Sequence, residues 1–187
     1  MRIALFHPWI KSKGGAERVI LEFVRNSKHE IDVYTWLYEE ERTFEEFKEF
    51  HIKVIGPPLA RKLAESYLMR GIFFVISLFV PFLSRMIPLE KYERFLISTG
   101  GLAELITLRN YKAGATYAYV HTILRAACDE DIKWNLKYRY RNLLTRLIYV
   151  IFVYIYRFLE KLSWRRINVA IFNSDLTFER ARKHGLI

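Results

Sequence analysis

Six short apolar runs alternate with longer segments of helical periodicity along this 187-residue chain, and this alternation constrains the fold more than any other feature. Short apolar runs bounded by polar residues or glycine are typical of buried strands, and helical segments between them indicate parallel strands joined by crossover helices. The sequence therefore predicts an α/β fold with a doubly wound parallel sheet. The predicted strands are Arg2–Phe6, Ile31–Trp36, Ile52–Ile55, Arg94–Ser98, Thr116–Val120 and Asn168–Phe172.

The segments between these strands have apolar residues at helical spacing. A first helix is predicted to begin after Gly14 and Gly15, because apolar residues recur at intervals of three or four positions from there to Val24. Ser174 or Asp175 is expected to cap the last helix. The other predicted helices are Thr43–Glu49, Leu59–Phe74, Gly101–Leu108, Trp134–Trp164 and Leu176–His184.

Length and composition favour one folded domain over residues 1–187. A chain of this size with 52% hydrophobic residues can bury a substantial core, and it contains no internal repeat or Gly/Ser-rich linker. Cys128 is the only cysteine, which excludes an intrachain disulfide and favours a reducing, cytoplasmic location. We expect no signal peptide, because Arg2–Phe6 already reads as a strand.

The net charge of +10 is concentrated in one segment. Residues 133–166 contain nine Lys or Arg against the single acid Glu160, a net of +8. Basic charge on an aliphatic and aromatic helix favours an anionic membrane surface or a phosphate-bearing acceptor as partner. The sequence has no RNP1-type motif, so we expect no nucleic-acid partner. Peripheral association with the inner face of the cell membrane is one hypothesis for this segment.

The predicted helix Trp134–Trp164 carries an apolar stripe, for which two interpretations stay open. One is a core-packing helix with a solvated basic flank, and the other is a membrane-contacting helix. The uncharged runs Gly71–Ser84 and Leu147–Tyr156 cover only 14 and 10 residues, below the roughly 20 needed to span a bilayer, so an integral membrane protein is not expected. The stripe consists of Leu136, Tyr140, Leu143, Leu147, Ile151, Tyr154, Phe158 and Leu162.

Gly14 and Gly15 stand between the first predicted strand and the first helix. Glycine lets backbone N–H groups approach a phosphate closely, and the helix dipole favours negative charge at this end. The loop matches neither G-x-G-x-x-G nor a Walker loop, and a merely flexible turn is the alternative interpretation. Because ligands of doubly wound sheets lie beyond the carboxyl ends of the strands, the position of this loop supports a binding function.

Polar residues and glycine follow other predicted strands. His121 directly follows the fifth strand, where an imidazole can hydrogen-bond a sugar hydroxyl or stabilise developing charge, and Arg125 can contact a phosphate. A structural or solvated histidine is the alternative. Thr99 and Gly100 follow the fourth strand, in a loop that faces an acceptor or in a simple tight turn. Asn173 closes the last strand, either as a binding residue or as part of a helix cap.

Other chemistries have little support in the sequence. Asp129-Glu130-Asp131 can imitate a carboxylate pair, but such a triplet more often marks a solvated helix start, and we predict no metal site. The sequence lacks a G-x-S-x-G elbow, an H-E-x-x-H helix and a spaced Cys/His set. A doubly wound nucleotide-binding protein with an unrelated reaction is an alternative, although the dinucleotide fingerprint of a dehydrogenase is missing.

Three motifs, taken in order, resemble the N-terminal domain of family 4 glycosyltransferases over nearly the whole chain. They are Gly14-Gly15-Ala16-Glu17-Arg18, Tyr119-Val120-His121-Thr122 with Arg125, and Ile171-Phe172-Asn173-Ser174. The resemblance implies the Rossmann-like, acceptor-side half of a GT-B fold. It further implies that a sugar is moved from a nucleotide-sugar donor to a saccharide or lipid-linked acceptor with retention of configuration, usually without a metal or other cofactor. The family often has proline after the His-Thr pair, where this sequence has Ile123.

The resemblance also implies roles for single residues. His121 is expected to contact the transferred sugar, with Arg125 assisting nearby, and the two glycines to line the cleft. The family's donor-binding motifs belong to a C-terminal domain that this sequence does not contain, so we expect negligible transfer by the chain alone. The alternative from a different class is a noncatalytic subunit of a split enzyme, or a membrane- or partner-binding module. The expected substrate- or phosphate-binding residues are Gly14, Gly15, Glu17, Thr99, Gly100, Arg125 and Asn173.

Overall fold

A computed structural model describes residues 1–58 and 77–187, and it contains one six-stranded sheet in which every neighbouring pair is parallel. Two further strands form a separate parallel pair beside it. The predicted α/β fold with a doubly wound parallel sheet is thereby confirmed. In chain order the strands are β1 (Arg2–Phe6), β2 (Trp9–Ile10), β3 (Glu30–Thr35), β4 (Leu37–Tyr38), β5 (Ile52–Val54), β6 (Arg94–Gly100), β7 (Thr116–Thr122) and β8 (Val169–Phe172).

The strand order of the main sheet is β5-β3-β1-β6-β7-β8, so the direction of winding reverses between β1 and β6. Both neighbours of β1 are parallel to it, with Leu5 paired to Val33 on one side and to Leu96 on the other. Such a reversal opens a crevice at the carboxyl edge of a doubly wound sheet, where ligands bind. The carboxyl ends of β1, β6 and β7 are therefore the first place to look for a site.

Five α-helices are present in the described part of the chain. The predicted first and last helices are confirmed, and the Ser174 side chain accepts a hydrogen bond from the Thr177 N–H at 3.3 Å, which makes Ser174 the cap. The predicted helix Leu59–Phe74 lies outside the described residues. The helices are α1 (Gly15–Asn26), α2 (Val80–Leu83), α3 (Asp129–Trp134), α4 (Leu143–Trp164) and α5 (Asp175–Lys183).

Two predicted α-helices are 3₁₀ segments. The region predicted as Thr43–Glu49 contains a 3₁₀-helix at Glu45–Glu49, and the region predicted as Gly101–Leu108 contains one at Ala103–Leu108. The left-handed Gly101, with φ of +83°, turns the chain sharply just before the second segment. Each segment is a short connector, a length at which 3₁₀ geometry is common. The other 3₁₀ segments among the described residues are Glu40–Arg42, Leu89–Lys91 and Arg125–Ala127.

The prediction of a single helix over Trp134–Trp164 is wrong, because the helical conformation is interrupted after Arg139. A π-helix continues α3 through Asn135–Arg139, and α4 begins only after Asn142, whose side chain accepts a hydrogen bond from the Leu144 N–H at 2.8 Å. Tyr140 leaves the helical path and stacks on Tyr149 at a ring distance of 4.4 Å. The cap and the aromatic stack together stabilise the break.

The core-packing interpretation of the apolar stripe is also wrong over α4. The stripe residues Leu143, Tyr154 and Phe158 are 82%, 78% and 62% exposed. The core is instead contacted by the opposite side of α4, represented by Phe152 and Tyr156. Among the described residues no helix combines the length and apolarity needed to cross a membrane.

The sheet separates two main groups of core residues. On one face, Leu5 of β1 and Val33 of β3 pack against Ile20 and Leu21 of α1. On the other face, the alternate residues of β1 and β3, together with Phe95 of β6, pack against α4 and the 103–108 segment. Because side chains alternate along a strand, this division assigns a face to every polar residue at the carboxyl edge.

Candidate functional site

Three polar side chains meet where the strand order reverses. His7 follows β1 directly, Ser98 lies near the end of β6, and His121 lies near the end of β7. The register pairs Ser98 with Tyr119, which puts Ser98 and His121 on the same side of the sheet as α1. Residues far apart in sequence are thus brought together at the edge where α1 begins.

The three side chains form a continuous hydrogen-bonded chain. The Ser98 Oγ lies 3.0 Å from the His7 Nδ1 and 2.8 Å from the His121 Nε2. A hydroxyl carries one proton, so Ser98 donates to one imidazole and accepts from the other. The tautomers of the two histidines are therefore linked, and a proton shift at buried His7 changes whether His121 offers a donor or an acceptor at its other nitrogen.

Both imidazoles are held in the neutral form. Burial lowers the pKa of His7 to about 3, with a further contribution from the nearby His121. Burial also lowers the pKa of His121, and this effect is partly offset by the carboxylate of Glu17. We call the carboxyl edge of the sheet beside the start of α1 the rim. A neutral imidazole there can donate one hydrogen bond and accept another, which suits a hydroxyl-bearing ligand.

Glu17 occupies the first turn of α1 and is itself buried. Its carboxylate accepts a hydrogen bond from the Ser12 hydroxyl at 2.6 Å and acts electrostatically on His121. The Glu17 carboxylate thus already places a negative charge beside the positive end of the α1 dipole. This disfavours a free phosphate at the same place and favours neutral, hydroxyl-rich ligands.

The glycines of this region differ in what the fold requires of them. A Cβ on Gly14 would meet the end of the Glu17 side chain, so the carboxylate would have to move from its present place beside Ser12. A Cβ on Gly15 or on Gly100 would meet nothing within 4 Å, and neither residue has a positive φ. The open space beside Gly15 and Gly100 leaves their backbone accessible from outside.

Other predicted site residues take no part in this chain of hydrogen bonds. Thr99 is buried on the opposite face of the sheet, since strand alternation turns it away from Ser98. Arg125 is exposed and pairs with Asp131 at 3.4 Å, in the loop beyond β7. Asn173 accepts a hydrogen bond from the Thr177 hydroxyl at 3.0 Å and so belongs to the start of α5.

His7, Ser98 and Ser12 were not among the residues predicted to form the site. A usable signal was present for the first two, because His7 and Ser98 stand at the ends of neighbouring parallel strands just as His121 does. Polar residues at the ends of three adjacent strands converge at one edge. Their mutual register, which decides that all three share one face, is a property of the folded sheet.

Within residues 1–58 and 77–187, no group of three or more His, Cys, Asp or Glu side chains is arranged to hold a metal ion. Asp129 forms an ion pair with Arg157 at 2.5 Å, and Asp131 pairs with Arg125. These two carboxylates therefore neutralise basic side chains on different elements.

Comparison with known proteins leaves the site without an assigned role. No protein-family model matches the chain, and no curated protein is significantly similar to it.

Proposed function

We propose that this domain supplies the acceptor-side half of a retaining glycosyltransferase, with His121 placed against the sugar that is transferred. The observation that carries the proposal is the His7–Ser98–His121 hydrogen-bonded chain at the edge where the strand order reverses. The three ordered motifs that resemble family 4 glycosyltransferases include His121 and the glycine pair beside it. A nucleotide-sugar donor is the co-substrate in this proposal, and no other cofactor is required.

The electrostatics of the rim favour sugar hydroxyls as the ligands. Glu17 offers carboxylate oxygens that accept hydrogen bonds, and neutral His121 offers one donor or acceptor nitrogen. Alternating donors and acceptors match the hydroxyls of a saccharide. Because Glu17 already places a negative charge at the start of α1, the donor's phosphates are expected to contact the complementary domain rather than this turn.

His7 and Ser98 act in this proposal through His121. Buried His7 stays neutral over the physiological pH range, since burial lowers its pKa to about 3. Ser98 then fixes the orientation of the His121 ring through the 2.8 Å contact. An imidazole that is held in one orientation stabilises developing charge without reorganisation at the moment of reaction.

Ligand binding by the 187-residue chain tests the proposal. We suggest titrating the ¹⁵N-labelled chain with simple glycosides, a short polyprenyl phosphate and nucleotide sugars, while following the amide resonances. Saccharide-bearing ligands are expected to shift the resonances of Gly15, Glu17 and His121. Isotopically labelled imidazole nitrogens report the tautomer of His121 in the same samples.

Matched variants make this test specific. His121→Ala and Gly15→Ala are expected to weaken binding about tenfold or more, the first by removing a hydrogen-bonding group and the second by filling open space with a methyl group. His29→Ala changes an exposed histidine at the amino edge of the sheet and is expected to bind as the parent does. Shifts that avoid the rim with every saccharide, or equal binding by all variants, would contradict the proposal.

A noncatalytic role, as one subunit of a split assembly, is the second candidate, and the exposed face of α4 favours it. In that case the rim has no ligand of its own. The same titration separates the two candidates, because the noncatalytic subunit gives no saccharide-dependent shift at His121 or Gly15.

A further inference from the structure

Both sides of α4 are apolar, although only one of them faces the core. Tyr149, Phe152 and Tyr156 point into the domain. On the opposite side, Leu143 and Leu144 begin a row of exposed apolar residues that ends with Phe158. A helix that is apolar around its circumference needs an apolar environment on all sides. The exposed members of the row are Leu143, Leu144, Leu147, Ile148, Val150, Ile151, Tyr154, Ile155 and Phe158.

A shallow depression beside the start of α4 concentrates positive charge. Its lining consists of Lys133, Lys137, Arg141 and Arg146 together with Leu136. The ion pairs seen nearby, Arg125–Asp131 and Arg157–Asp129, involve none of these four cations. Four cations around one depression attract a surface that carries many negative charges.

Aromatic side chains border the depression. Trp134 and Tyr138 are exposed, and their rings lie 5.5 Å apart. Trp and Tyr prefer the interface between water and lipid, because each combines an apolar ring with one polar atom. Aromatic residues thus adjoin the apolar and cationic residues that line the depression, and the Lys137 Nζ lies 5.0 Å from the centre of the Tyr138 ring.

The same layer of the molecule extends beyond α4. Helix α2 packs against the 103–108 segment, as α4 does. Residues Phe79 and Leu83, with Met86 after the helix, are also exposed. Apolar residues from two elements therefore face outward on the side of the sheet opposite α1.

We propose that this surface, formed by the outward side of α4 and the four-cation depression, binds an anionic lipid bilayer. The 22 residues of α4 span about 33 Å and lie along the membrane plane, with Leu143 and Leu147 in the boundary between headgroups and acyl chains. Lys137 and Arg141 then contact lipid phosphates, with their aliphatic stems along the apolar layer.

The charge of this surface selects a bilayer over a second copy of the chain. Self-association through α4 would cover the apolar row with an identical, cation-bearing surface, which offers no surplus of negative charge to the depression. An anionic bilayer neutralises the cations and covers the apolar row at the same time. One partner thereby satisfies both features.

Vesicle co-sedimentation tests the proposal on the chain itself. Phosphatidylcholine vesicles are compared with vesicles that also contain phosphatidylglycerol. We expect binding only to the anionic vesicles, with an affinity that falls as salt is added. The variants L143S/L147S and K137E/R141E are each expected to lower the partition coefficient at least about tenfold.

Controls on the other face of the sheet match these changes. Phe23→Ser removes an exposed apolar residue from α1, and R25E/K28E reverses two exposed charges there and just beyond the helix. Circular dichroism and thermal unfolding establish that all variants are folded, and both controls are expected to bind as the parent does. Absent or equal binding to the two vesicle types would overturn the proposal. So would equal losses in the α1 variants, or a solution dimer that L143S/L147S dissociates.

Discussion

Burial shifts the pKa values of single residues in this protein in two opposite directions, down for a histidine and up for two carboxyls. Burial keeps His7 neutral, and it raises the pKa values of two carboxyls, Glu104 and Glu160, that α4 and the 103–108 segment enclose. Transferring any of these groups out of water disfavours its charged form. The free energy of unfolding is therefore expected to decrease both towards acidic pH, the acidic limb of its pH profile, and towards basic pH, the basic limb. Different residues cause the two decreases.

His7 is expected to govern part of the acidic limb. Its folded-state pKa of about 3 lies below the unfolded value of 6.5, so below pH 6.5 the unfolded chain binds a proton that the folded chain does not. The free energy of unfolding consequently falls as the pH is lowered from 6.5 towards 3, by about 2 kcal/mol at pH 5. Urea unfolding at pH 7 and pH 5 measures this loss.

The comparison with a His7 variant isolates this contribution from those of other groups. His7→Leu is expected to be less stable at pH 7, because Ser98 loses a hydrogen-bond partner, but to lose less stability on acidification. His29→Leu should retain the parent's difference between the two pH values. If His7→Leu retains it as well, the histidine is not held neutral.

Gly56 shows a different constraint at the residue scale, the close approach of two backbone segments. A Cβ there would lie 2.7 Å from the carbonyl carbon of Trp36 and closer still to its oxygen. Gly56→Ala is therefore expected to destabilise the fold by about 1–3 kcal/mol, since backbone must move to relieve the overlap. Gly15→Ala, where the added methyl group meets open space, is expected to leave stability unchanged or slightly raised. Thermal unfolding of both variants checks this, and equal stability of the two would contradict the close approach.

At the scale of elements, a buried hydrogen-bonded group joins α4 to the 103–108 segment. The Tyr156 hydroxyl lies 2.7 Å from a Glu104 oxygen and 2.8 Å from a Glu160 oxygen. Because the phenol has only one proton to donate, both contacts are hydrogen bonds only when one carboxyl is protonated. Burial and mutual repulsion raise the pKa of Glu104 to about 8, and burial raises that of Glu160 to about 7.

This group is expected to produce the basic limb. Folded-state pKa values above the ordinary 4.5 mean that the stabilising contribution is complete below pH 4.5 and is lost as the pH rises through 7 and 8. Glu104→Gln keeps a neutral hydrogen-bonding side chain and should lose less stability between pH 6 and pH 9 than the parent does. Exposed Glu90→Gln is the control, and its pH profile should equal the parent's. A Glu104→Gln profile that also equals the parent's would show that the carboxyl is ionised in the fold.

The sequence predicted elements well where a single pattern was sufficient. All six strands of the main sheet lie within about two residues of their predicted bounds, because a short apolar run between turns is distinctive. The helix from Trp134 to Trp164 was predicted less well. Its periodicity continues through Tyr140, and the break depends on the Asn142 cap and on a stack with the distant Tyr149. The buried side of α4 was also not predictable, since a helix that is apolar on both sides has no distinctive face.

The candidate site was predictable in position but only partly in composition. His121 and the glycine pair lie at the predicted edge of the sheet, and the parallel topology that brings them together follows from the alternation of elements. Thr99 shows the limit of this approach. A shift of one position along a strand moves a side chain from the face of α1 to the face of α4. The registers of β1, β6 and β7 determine that Ser98 rather than Thr99 meets His7 and His121.

At the scale of the whole molecule, the two faces of the sheet carry different proposed tasks. The rim beside α1 holds the groups suited to a sugar, and the outward side of α4 holds the groups suited to an anionic bilayer. A domain arranged in this way can receive an acceptor at a membrane surface and present it at the rim. The proposed function also requires a donor-binding part, so in this proposal the chain alone is expected to leave a nucleotide sugar unconsumed.

Sugar transfer by the chain combined with a donor-binding domain of the kind the proposed function requires, fused to it or added as a second polypeptide, is the most direct test of the central claim. With a nucleotide-sugar panel and a lipid-linked acceptor, the combination is expected to turn over. His121→Ala should lower kcat by about a hundredfold or more, whereas His29→Ala should leave it unchanged. Full activity of the combination with His121→Ala, or turnover by the chain on its own, would contradict the account.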